Sequence, residues 1–164
     1  MGLSTNLKQE LETLYQARGP VPASLRASDA RGLMLRIEVV TIDLLGCAVS
    51  ELELFVPTLQ SAAFDVLKQW ADALSQRITY LLEQIGPLEF DEAAGQVLIR
   101  SVSPDQLPDG AQYYEILLSQ RGSGTFLLKR YKSTKGQSGR TPVEMLLTRE
   151  VILKLVDDLE ATVP

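Results

Sequence analysis

The periodicity of apolar residues in this chain of 164 residues predicts an α+β fold. The predicted architecture is an antiparallel sheet of about six to eight strands, with a long central helix and N- and C-terminal helices packed on one face. Short runs of alternating apolar residues recur, helical runs lie before, between and after them, and regular βαβ alternation is missing. No linker is long enough to divide the chain, so we expect a single domain over residues 1–164.

The N-terminal segment is predicted to be a helix. Leu7, Leu11 and Leu14 recur at helical spacing behind Asn6, which suits a helix N-cap. The sequence Gly-Pro at 19–20 ends the run. A helix of roughly 13 residues is marginal alone, so its leucines are expected to dock on the rest of the domain.

Two half-buried strands are predicted next, in LMLRIEV (33–39) and ELELFV (51–56), because apolar residues alternate there with arginine or glutamate. The alternation changes parity between the two runs. A bulge is therefore expected near Val40 and Thr41, and Gly46 is the predicted turn. Two polar segments interrupt the apolar patterns elsewhere in the chain: residues 24–31, and residues 101–112, which are predicted to be a loop.

The strongest helical pattern lies in the centre of the chain. Its apolar residues advance by three and four positions: Ala63, Leu67, Trp70, Leu74, Ile78, Leu81 and Ile85. This spacing predicts one amphipathic helix over residues 58–85, closed by Gly86 and Pro87. Trp70 is expected in the core, because an apolar stripe on a helix usually buries against its own domain.

The rest of the chain is predicted to form antiparallel strands and a last helix. PLEFDEAAGQVLIRSV (87–102) has the pattern of a hairpin, and an RGSG turn joins strands at 113–120 and 125–132. TPVEMLLT (141–148) is the next predicted strand. The helix after it begins near Thr148 and has four apolar residues on its buried side: Ile152, Leu155, Val156 and Leu159.

Composition excludes several kinds of catalytic site. The chain has no histidine, which removes His-dependent triads and imidazole zinc sites. Cys47, the only cysteine, lies in the apolar stretch LLGCAV and is expected to be a small buried hydrophobe. We expect no enzymatic activity, no cofactor and no metal. The enzymatic alternative is a site with paired carboxylates, for which Glu51 and Glu53 are candidates.

The chain is expected to be a cytoplasmic protein that does not enter a membrane. The N-terminal sequence MGLSTN lacks the basic and apolar regions of a secretory signal. No apolar run approaches the roughly 20 residues that a membrane helix needs.

Basic residues are concentrated in one segment. Between Ile116 and Val143 there is no acid, and there are six basic residues: Arg121, Lys129, Arg130, Lys132, Lys135 and Arg140. Removing these six charges from the net charge of −5 leaves −11 on the remaining chain. One interpretation is a hairpin whose lysines keep an edge strand soluble. The other is a site for single-stranded nucleic acid, with six candidate contacts: Lys129, Arg130, Tyr131, Lys132, Lys135 and Arg140.

The order of predicted elements in residues 126–159 is similar to part of a known protein family. A basic-aromatic strand LLKRY, a Lys-Gly turn, a strand VEMLLT and an amphipathic helix REVILKLVDDLE follow one another. This order resembles the C-terminal part of the single-strand-binding transcriptional coactivators of the positive-cofactor family. The resemblance implies a dimer that binds DNA on a β surface.

We expect the protein to act by association with another protein, most simply with itself as a homodimer, because a sheet with many strands offers edges and faces for contact. Single-stranded nucleic acid binding through residues 129–140 is the alternative.

Overall fold

The computed structural model describes residues 2–164, and within them ten strands form one antiparallel sheet. The helices are α1 (Leu3–Gln16), a 3₁₀ helix (Pro57–Ser61), α2 (Phe64–Arg77) and α3 (Arg149–Thr162). The strands are β1 (Ala23–Ser28), β2 (Met34–Ile42), β3 (Gly46–Phe55), β4 (Ile85–Asp91), β5 (Gln96–Ser101), β6 (Asp105–Leu107), β7 (Gly110–Ser119), β8 (Thr125–Thr134), β9 (Thr141–Val143) and β10 (Met145–Thr148). The predicted α+β class and antiparallel sheet are confirmed, although the strands outnumber the six to eight expected.

Seven strands form a continuous path in the order β1, β2, β3, β8, β7, β5, β4. The central strand of this path is β8, and its edges are β1 and β4. Three short strands pair beside the path: β6 with β7, β9 with β8, and β10 with β3. All of these pairs are antiparallel.

The two long strands β3 and β8 pair over only part of their length. Residues 52–55 pair with residues 125–128. Beyond this junction β9 pairs with β8 and β10 pairs with β3, so the chain reverses between them at Glu144. The single strand predicted over 141–148 is therefore two short strands, because the same segment fills the gap beside two different neighbours.

One hydrophobic cluster forms the core. Alternate side chains of the strands enter it, as strand geometry requires, and the buried residues of α1, α2 and α3 belong to the same cluster. We call the sheet face that carries Ile37, Leu52, Leu128, Ile116 and Ile99 the inner face. The opposite set of side chains forms the outer face.

The helix predicted over 58–85 is wrong in length. The chain forms a 3₁₀ turn first, and the extended conformations of Ala62 and Ala63 then separate that turn from α2. The helix α2 has 14 residues and ends at Arg77. The burial of Trp70, which is 2% exposed, is confirmed. Its indole Nε1 donates a hydrogen bond to Thr162 Oγ1 at 3.0 Å.

Tertiary contacts hold residues 78–84, which the apolar period assigned to the helix. Ile78 and Leu81 are buried, so the apolar period is real, but the backbone leaves the helix. Tyr80 donates from its hydroxyl to Asp158 at 2.7 Å, and Glu83 bonds Arg130 inside the protein. A helix continued through residues 78–84 would point the side chains of Tyr80 and Glu83 in other directions and would prevent both contacts.

The predicted N-cap at Asn6 is also wrong. The helix α1 begins at Leu3, and Asn6 lies inside it with its amide donating to the carbonyl of Ser28 at 2.8 Å. Four buried leucines form the docked side of this helix, as expected.

Both polar interruptions contain strands, including the predicted loop 101–112. Residues 24–31 include most of the edge strand β1, and residues 101–112 contain β6 and the first residues of β7. Three other expectations are confirmed, namely the bulge between β2 and β3, the buried Cys47, and the last helix beginning near Thr148. In the structure Thr148 is the N-cap of α3. The turn before β3 consists of residues 43–45, one position earlier than Gly46. No helix within residues 2–164 is long and apolar enough to cross a membrane.

Candidate association surface

A row of leucines crosses the middle of the outer face. Leu127 on β8, Leu117 on β7 and Leu98 on β5 are directly opposite one another, and each is half-buried. We call these three residues the leucine row. Cross-strand pairing continues the same line to Glu53 on β3 and Glu89 on β4. The row is an apolar strip between polar surroundings.

Strands β2 and β3 carry an acidic cluster on this face. Arg36 donates to Glu51 at 3.1 Å and to Glu53 at 3.3 Å, and it also bonds Glu38. Hydrogen bonds from Arg36 and Ser24 lower the pKa of Glu38. One arginine thus faces three glutamates. We call Arg36, Glu38, Glu51 and Glu53 the acidic side.

A basic cluster lies on the outer face of β5, β7 and β8. Glu115 accepts hydrogen bonds from Arg100 at 2.9 Å and from Arg140. Lys129 lies opposite Glu115 in the sheet and forms no ion pair within residues 2–164. Three cations therefore surround one carboxylate. We call Lys129, Arg100, Arg140 and Glu115 the basic side.

Two tyrosines pack under the cations of the basic side. The guanidinium of Arg140 lies 3.7 Å from the ring centroid of Tyr131, and that of Arg100 lies 4.8 Å from the ring centroid of Tyr113. The ring centroids are 6.0 Å apart. The contacts are cation–π interactions, so the tyrosine rings that a nucleobase would stack on already contact arginines of the same chain.

Burial by itself raises the pKa of Glu115, which is 7% exposed. The hydrogen bonds from Arg140 and Arg100 outweigh burial and bring this pKa below its ordinary value. Glu115 therefore stays ionised, and its bond with Arg140 fixes the loop before β9 to the sheet.

The six predicted nucleic-acid contacts are divided between two faces. Lys129, Tyr131 and Arg140 are on the outer face. Lys135 lies in the exposed turn after β8, and Lys132 forms an ion pair with Asp109 at 3.0 Å. Alternation along β8 turns every second side chain to the opposite face of the sheet, so the crowding of these residues in sequence is not a single patch in space.

Arg130, the sixth predicted contact, points inward. It is 4% exposed and donates to both carboxylate oxygens of Glu83, at 3.1 and 3.2 Å. Ser101 donates to Glu83 at 3.3 Å, and the ring of Tyr114 lies 4.3 Å from the guanidinium. Burial is the main cause that raises the pKa of Glu83, and the charge of Arg130 opposes it. We call Arg130, Glu83, Ser101 and Tyr114 the inner cluster.

The sequence patterns do not place Arg36, Arg100, Tyr113 or Glu115 on a common surface. The sequence does contain a signal for Arg36. In residues 33–39 and in residues 51–56 the charged side chains occupy alternate positions, so they lie on one face of each strand. Pairing those strands as a hairpin brings Arg36 opposite Glu53. The candidate carboxylates Glu51 and Glu53 are both bonded to Arg36.

A cavity of about 810 Å³ lies between α1 and the outer face of β1 to β3, where Arg36 and Glu53 of the acidic side line it. Its lining includes Asn6 from α1, Arg26 from β1, and the apolar side chains of Met34 and Phe55. Among residues 2–164, no three side chains of the types that ligate metals are grouped so that they could hold an ion.

No protein-family model matches the chain, and no match was found among curated proteins or among solved structures.

Proposed function

We propose that the protein acts by self-association through the outer face of its sheet. The observation that supports this proposal is the division of that face into an acidic side and a basic side, with the leucine row across it. We further infer that the outer face of β8, β7 and β5 is free for a partner, whereas α1 borders the outer face of β1 to β3 at the cavity. In this proposal the protein is not an enzyme.

A two-fold symmetric interface must be complementary to itself, because each copy contributes the same patch. A face with opposite charges on its two sides meets this requirement, since rotation places the acidic side of one copy over the basic side of the other. The leucine row supplies apolar contact between them. Half-buried leucines gain further burial when a second sheet covers them.

The edges of the sheet are less suited to pairing with a second copy. The edge strand β4 carries Glu89 and Asp91, and Glu92 follows it, without any ion pair in residues 2–164. Two such edges in contact would bring like charges together. Pro87 removes one backbone donor, and a register shift between Pro87 and Glu89 interrupts the strand.

The first test is the molecular mass in solution. One chain has a mass of 18.1 kDa, and we expect light scattering to give twice this value at micromolar concentrations. Because charge complementarity contributes to the contact, the dimer should weaken as salt increases. A mass that stays at one chain at high protein concentration and low salt would exclude self-association.

The sharper test reverses one charge on each side of the face. Glu51→Lys makes the acidic side more basic, and Lys129→Glu makes the basic side more acidic. We expect each variant alone to dimerise at least about tenfold more weakly than the parent, because both copies carry the change. Mixing the two variants should restore much of the affinity, since opposite charges again face each other.

The mixing experiment contains its own control for folding. A variant that had merely lost structure would not regain affinity with a partner, and thermal melting of each variant reports its fold separately. As a matched control, Lys8→Glu changes an exposed charge of α1 outside this face. It should leave dimerisation unchanged. Two weakened variants that stay weak when mixed would contradict the outer-face interface.

A second candidate function is single-stranded nucleic acid binding by the basic side. Lys129 and Arg100 beside Tyr113 and Tyr131 favour it. The internal partners of Arg140 and Lys132 count against it. The test is a salt series with single-stranded DNA, in which submicromolar binding that falls steeply with salt, and is lost in Lys129→Glu, would make this function the better proposal.

A further inference from the structure

We propose that the free edge of β1 binds an extended peptide of a partner protein, which adds to the sheet as a further antiparallel strand with an acidic residue opposite Arg26. This inference goes beyond the proposed self-association and does not depend on it. It rests on the backbone groups of β1, on the cavity beside them and on the charge of Arg26.

The hydrogen-bond pattern of the β1–β2 hairpin shows which backbone groups of β1 face away from the sheet. Asp29 donates from its backbone N–H to the carbonyl of Leu33 at 3.2 Å. Hydrogen-bonded and non-hydrogen-bonded pairs alternate along an antiparallel ladder. The N–H and C=O groups of Ser24, Arg26 and Ser28 therefore point away from β2. All three residues are exposed, so a further strand can reach this edge.

Most of these edge groups have no partner. The carbonyl of Ser28 accepts a hydrogen bond from the side-chain amide of Asn6 at 2.8 Å, in the position where an added strand would offer a backbone N–H. Within residues 2–164, the N–H of Ser28 and both backbone groups of Arg26 and Ser24 form no hydrogen bond. Such groups bond either water or another strand.

The cavity between α1 and the outer face borders this edge. Its lining includes Arg26, Ala27 and Ser28 in succession, and α1 forms the opposite wall. Because successive side chains of a strand point to opposite faces, a cavity lined by all three runs past the edge of β1 itself. Its volume of about 810 Å³ falls within the roughly 300–1,000 Å³ of ligand sites, so an extended chain has space beside the strand.

The other edge of the sheet is protected against strand addition, and β1 is not. A register shift and Pro87 interrupt β4, and the acids Glu89 and Asp91 lie along it. In contrast, β1 pairs with β2 over six residues without a register shift and contains no proline. Peptides add to edges that lack such protection.

Arg26 determines the chemistry of the peptide. It forms no ion pair in the part of the chain that the structure describes, whereas the adjacent Arg36 bonds three glutamates. The residue opposite Arg26 in an antiparallel hydrogen-bonded pair lies about 5.5 Å away between Cα atoms, so an acid there can bond the guanidinium. Pairing β1 with β1 of a second copy would instead bring two Arg26 side chains close together, which favours a different chain.

The position two residues before the acid suits an apolar side chain. It lies opposite Ser28, and Met34 of β2 lies on the other side of this small residue. Met34 is 51% exposed and lines the cavity. A leucine of the peptide can pass over Ser28 and cover Met34, which removes apolar surface from water. The ligand class is therefore an extended peptide with an apolar residue two positions before an acid.

Backbone methylation of a probe peptide tests strand addition. The probe is a capped peptide of about seven residues, with leucine two positions before glutamate and threonine elsewhere. Arg26 would exchange both of its hydrogen bonds with the glutamate. N-methylation of the glutamate and of the residues two positions from it should therefore weaken binding to the full chain at least about tenfold, as measured by fluorescence anisotropy.

The matched control is the same probe methylated on the intervening residues, whose N–H groups face away from β1. Its affinity should stay within about twofold of the unmethylated probe. Equal affinities of the two methylated forms would overturn the proposal, and so would the absence of binding at about 1 mM probe. A loss confined to the intervening set would overturn the antiparallel orientation.

Charge reversal tests the role of Arg26. Arg26→Glu should weaken binding of the probe at least about fivefold, and a probe with lysine in place of glutamate should bind this variant more tightly than it binds the parent. Lys8→Glu changes an exposed charge of α1 that does not line the cavity, and it should leave both affinities unchanged. If Arg26→Glu alters the scattering mass but not probe binding, the edge pairs two copies and the peptide site is wrong.

Amide hydrogen exchange locates the bound probe. The N–H of Arg26 faces the free edge, whereas that of Ala27 bonds β2. In the free protein Arg26 should exchange faster than Ala27, and saturating probe should slow Arg26 without changing Ala27. A slow Arg26 amide in the free protein would show that the edge is already covered and would overturn the proposal. These outcomes are the same for a monomer and a dimer, so they stand apart from the test of self-association.

Discussion

The neighbouring strands β7 and β8 carry two clusters of the same chemistry on their opposite faces. In the inner cluster Arg130 bonds Glu83 and stacks on Tyr114, and the side chains of both charged residues are almost fully buried. On the outer face Glu115 is buried, but its two arginines remain about one-third exposed. The two clusters contain the same residue types, but the arginine of the inner cluster is buried and the arginines of the outer face are partly exposed to water.

This difference shows which effect controls a buried carboxylate. Glu83 has one arginine, whose Nε lacks a hydrogen-bond partner, and burial raises the pKa of Glu83 above its ordinary value. Burial also acts on Glu115, but its two arginines outweigh it and lower the pKa. Desolvation sets the direction of the pKa shift when one guanidinium bonds the carboxylate, and hydrogen bonding sets it when two do.

The largest expected effect is at the inner cluster. Arg130→Met leaves Glu83 buried without its cation, and breaking a buried pair in this way costs about 3 to 5 kcal/mol of unfolding free energy. Urea denaturation measures it. The double variant Arg130→Met, Glu83→Leu should recover most of the loss, because no unpaired charge remains. A double variant as unstable as the single one would mean that the ion pair itself contributes that stability.

On the outer face we expect a smaller loss. Glu115→Gln removes the charge from two hydrogen bonds, which costs about 1 to 3 kcal/mol, because the partly exposed arginines can be hydrated by water. Measured beside Arg130→Met by the same method, it should be the milder change. If both variants lose equal stability, exposure of the arginines is not what distinguishes the two clusters.

The comparison also predicts opposite pH dependences. The pKa of Glu115 is lower in the folded than in the unfolded protein, where it is near 4.5. Ionised Glu115 therefore stabilises the fold above pH 4.5, and this stabilisation is lost as pH falls through the folded pKa. The penalty of Glu115→Gln should therefore shrink at acid pH. The pKa of Glu83 is raised in the folded protein, so the stabilisation from its protonated form is complete below pH 4.5 and is lost as pH rises through the folded pKa. The loss of stability caused by Glu83→Gln should therefore shrink with rising pH. Denaturation of parent and variants across this range gives both slopes.

The smallest expected effect is at Arg140. Arg140→Lys keeps the charge but loses the planar contact with Tyr131, a change of about 0.5 kcal/mol at a partly exposed site. The melting temperature should hardly move. The surroundings of Tyr131 should change more clearly, and NMR shifts of its ring protons would report this. Unchanged ring shifts would contradict the stacked geometry.

Sequence periodicity identified much of the sheet because half-buried strands alternate apolar and polar residues. The alternation in 33–39 and 51–56 predicted the paired strands β2 and β3, and the parity change between them predicted their bulge. The RGSG turn likewise located the hairpin of β7 and β8. These features are local, so the sequence alone contains them.

Sequence reasoning failed where distant contacts decide the backbone. The apolar period continues past Arg77, but Glu83 must reach Arg130, which lies far along the chain. For the basic segment, the error was to treat neighbours in sequence as neighbours in space. Residues 130 and 131 of a strand point to opposite faces, and only the strand order shows that the partners of Tyr131 are Tyr113 and Arg140.

The gap between β3 and β8 has a consequence for folding during synthesis. The hairpins β2–β3 and β4–β5 form from sequence neighbours, whereas β3 must wait for β8 to be made before the two halves of the sheet join. The N-terminal half of β3 waits longer, because its partner β10 follows β8 along the chain. Until the ribosome releases that segment, Cys47 and Val49 border an unpaired strand edge. Nascent chains truncated before Met145 are therefore expected to aggregate or to recruit chaperones more than chains that include β10 do.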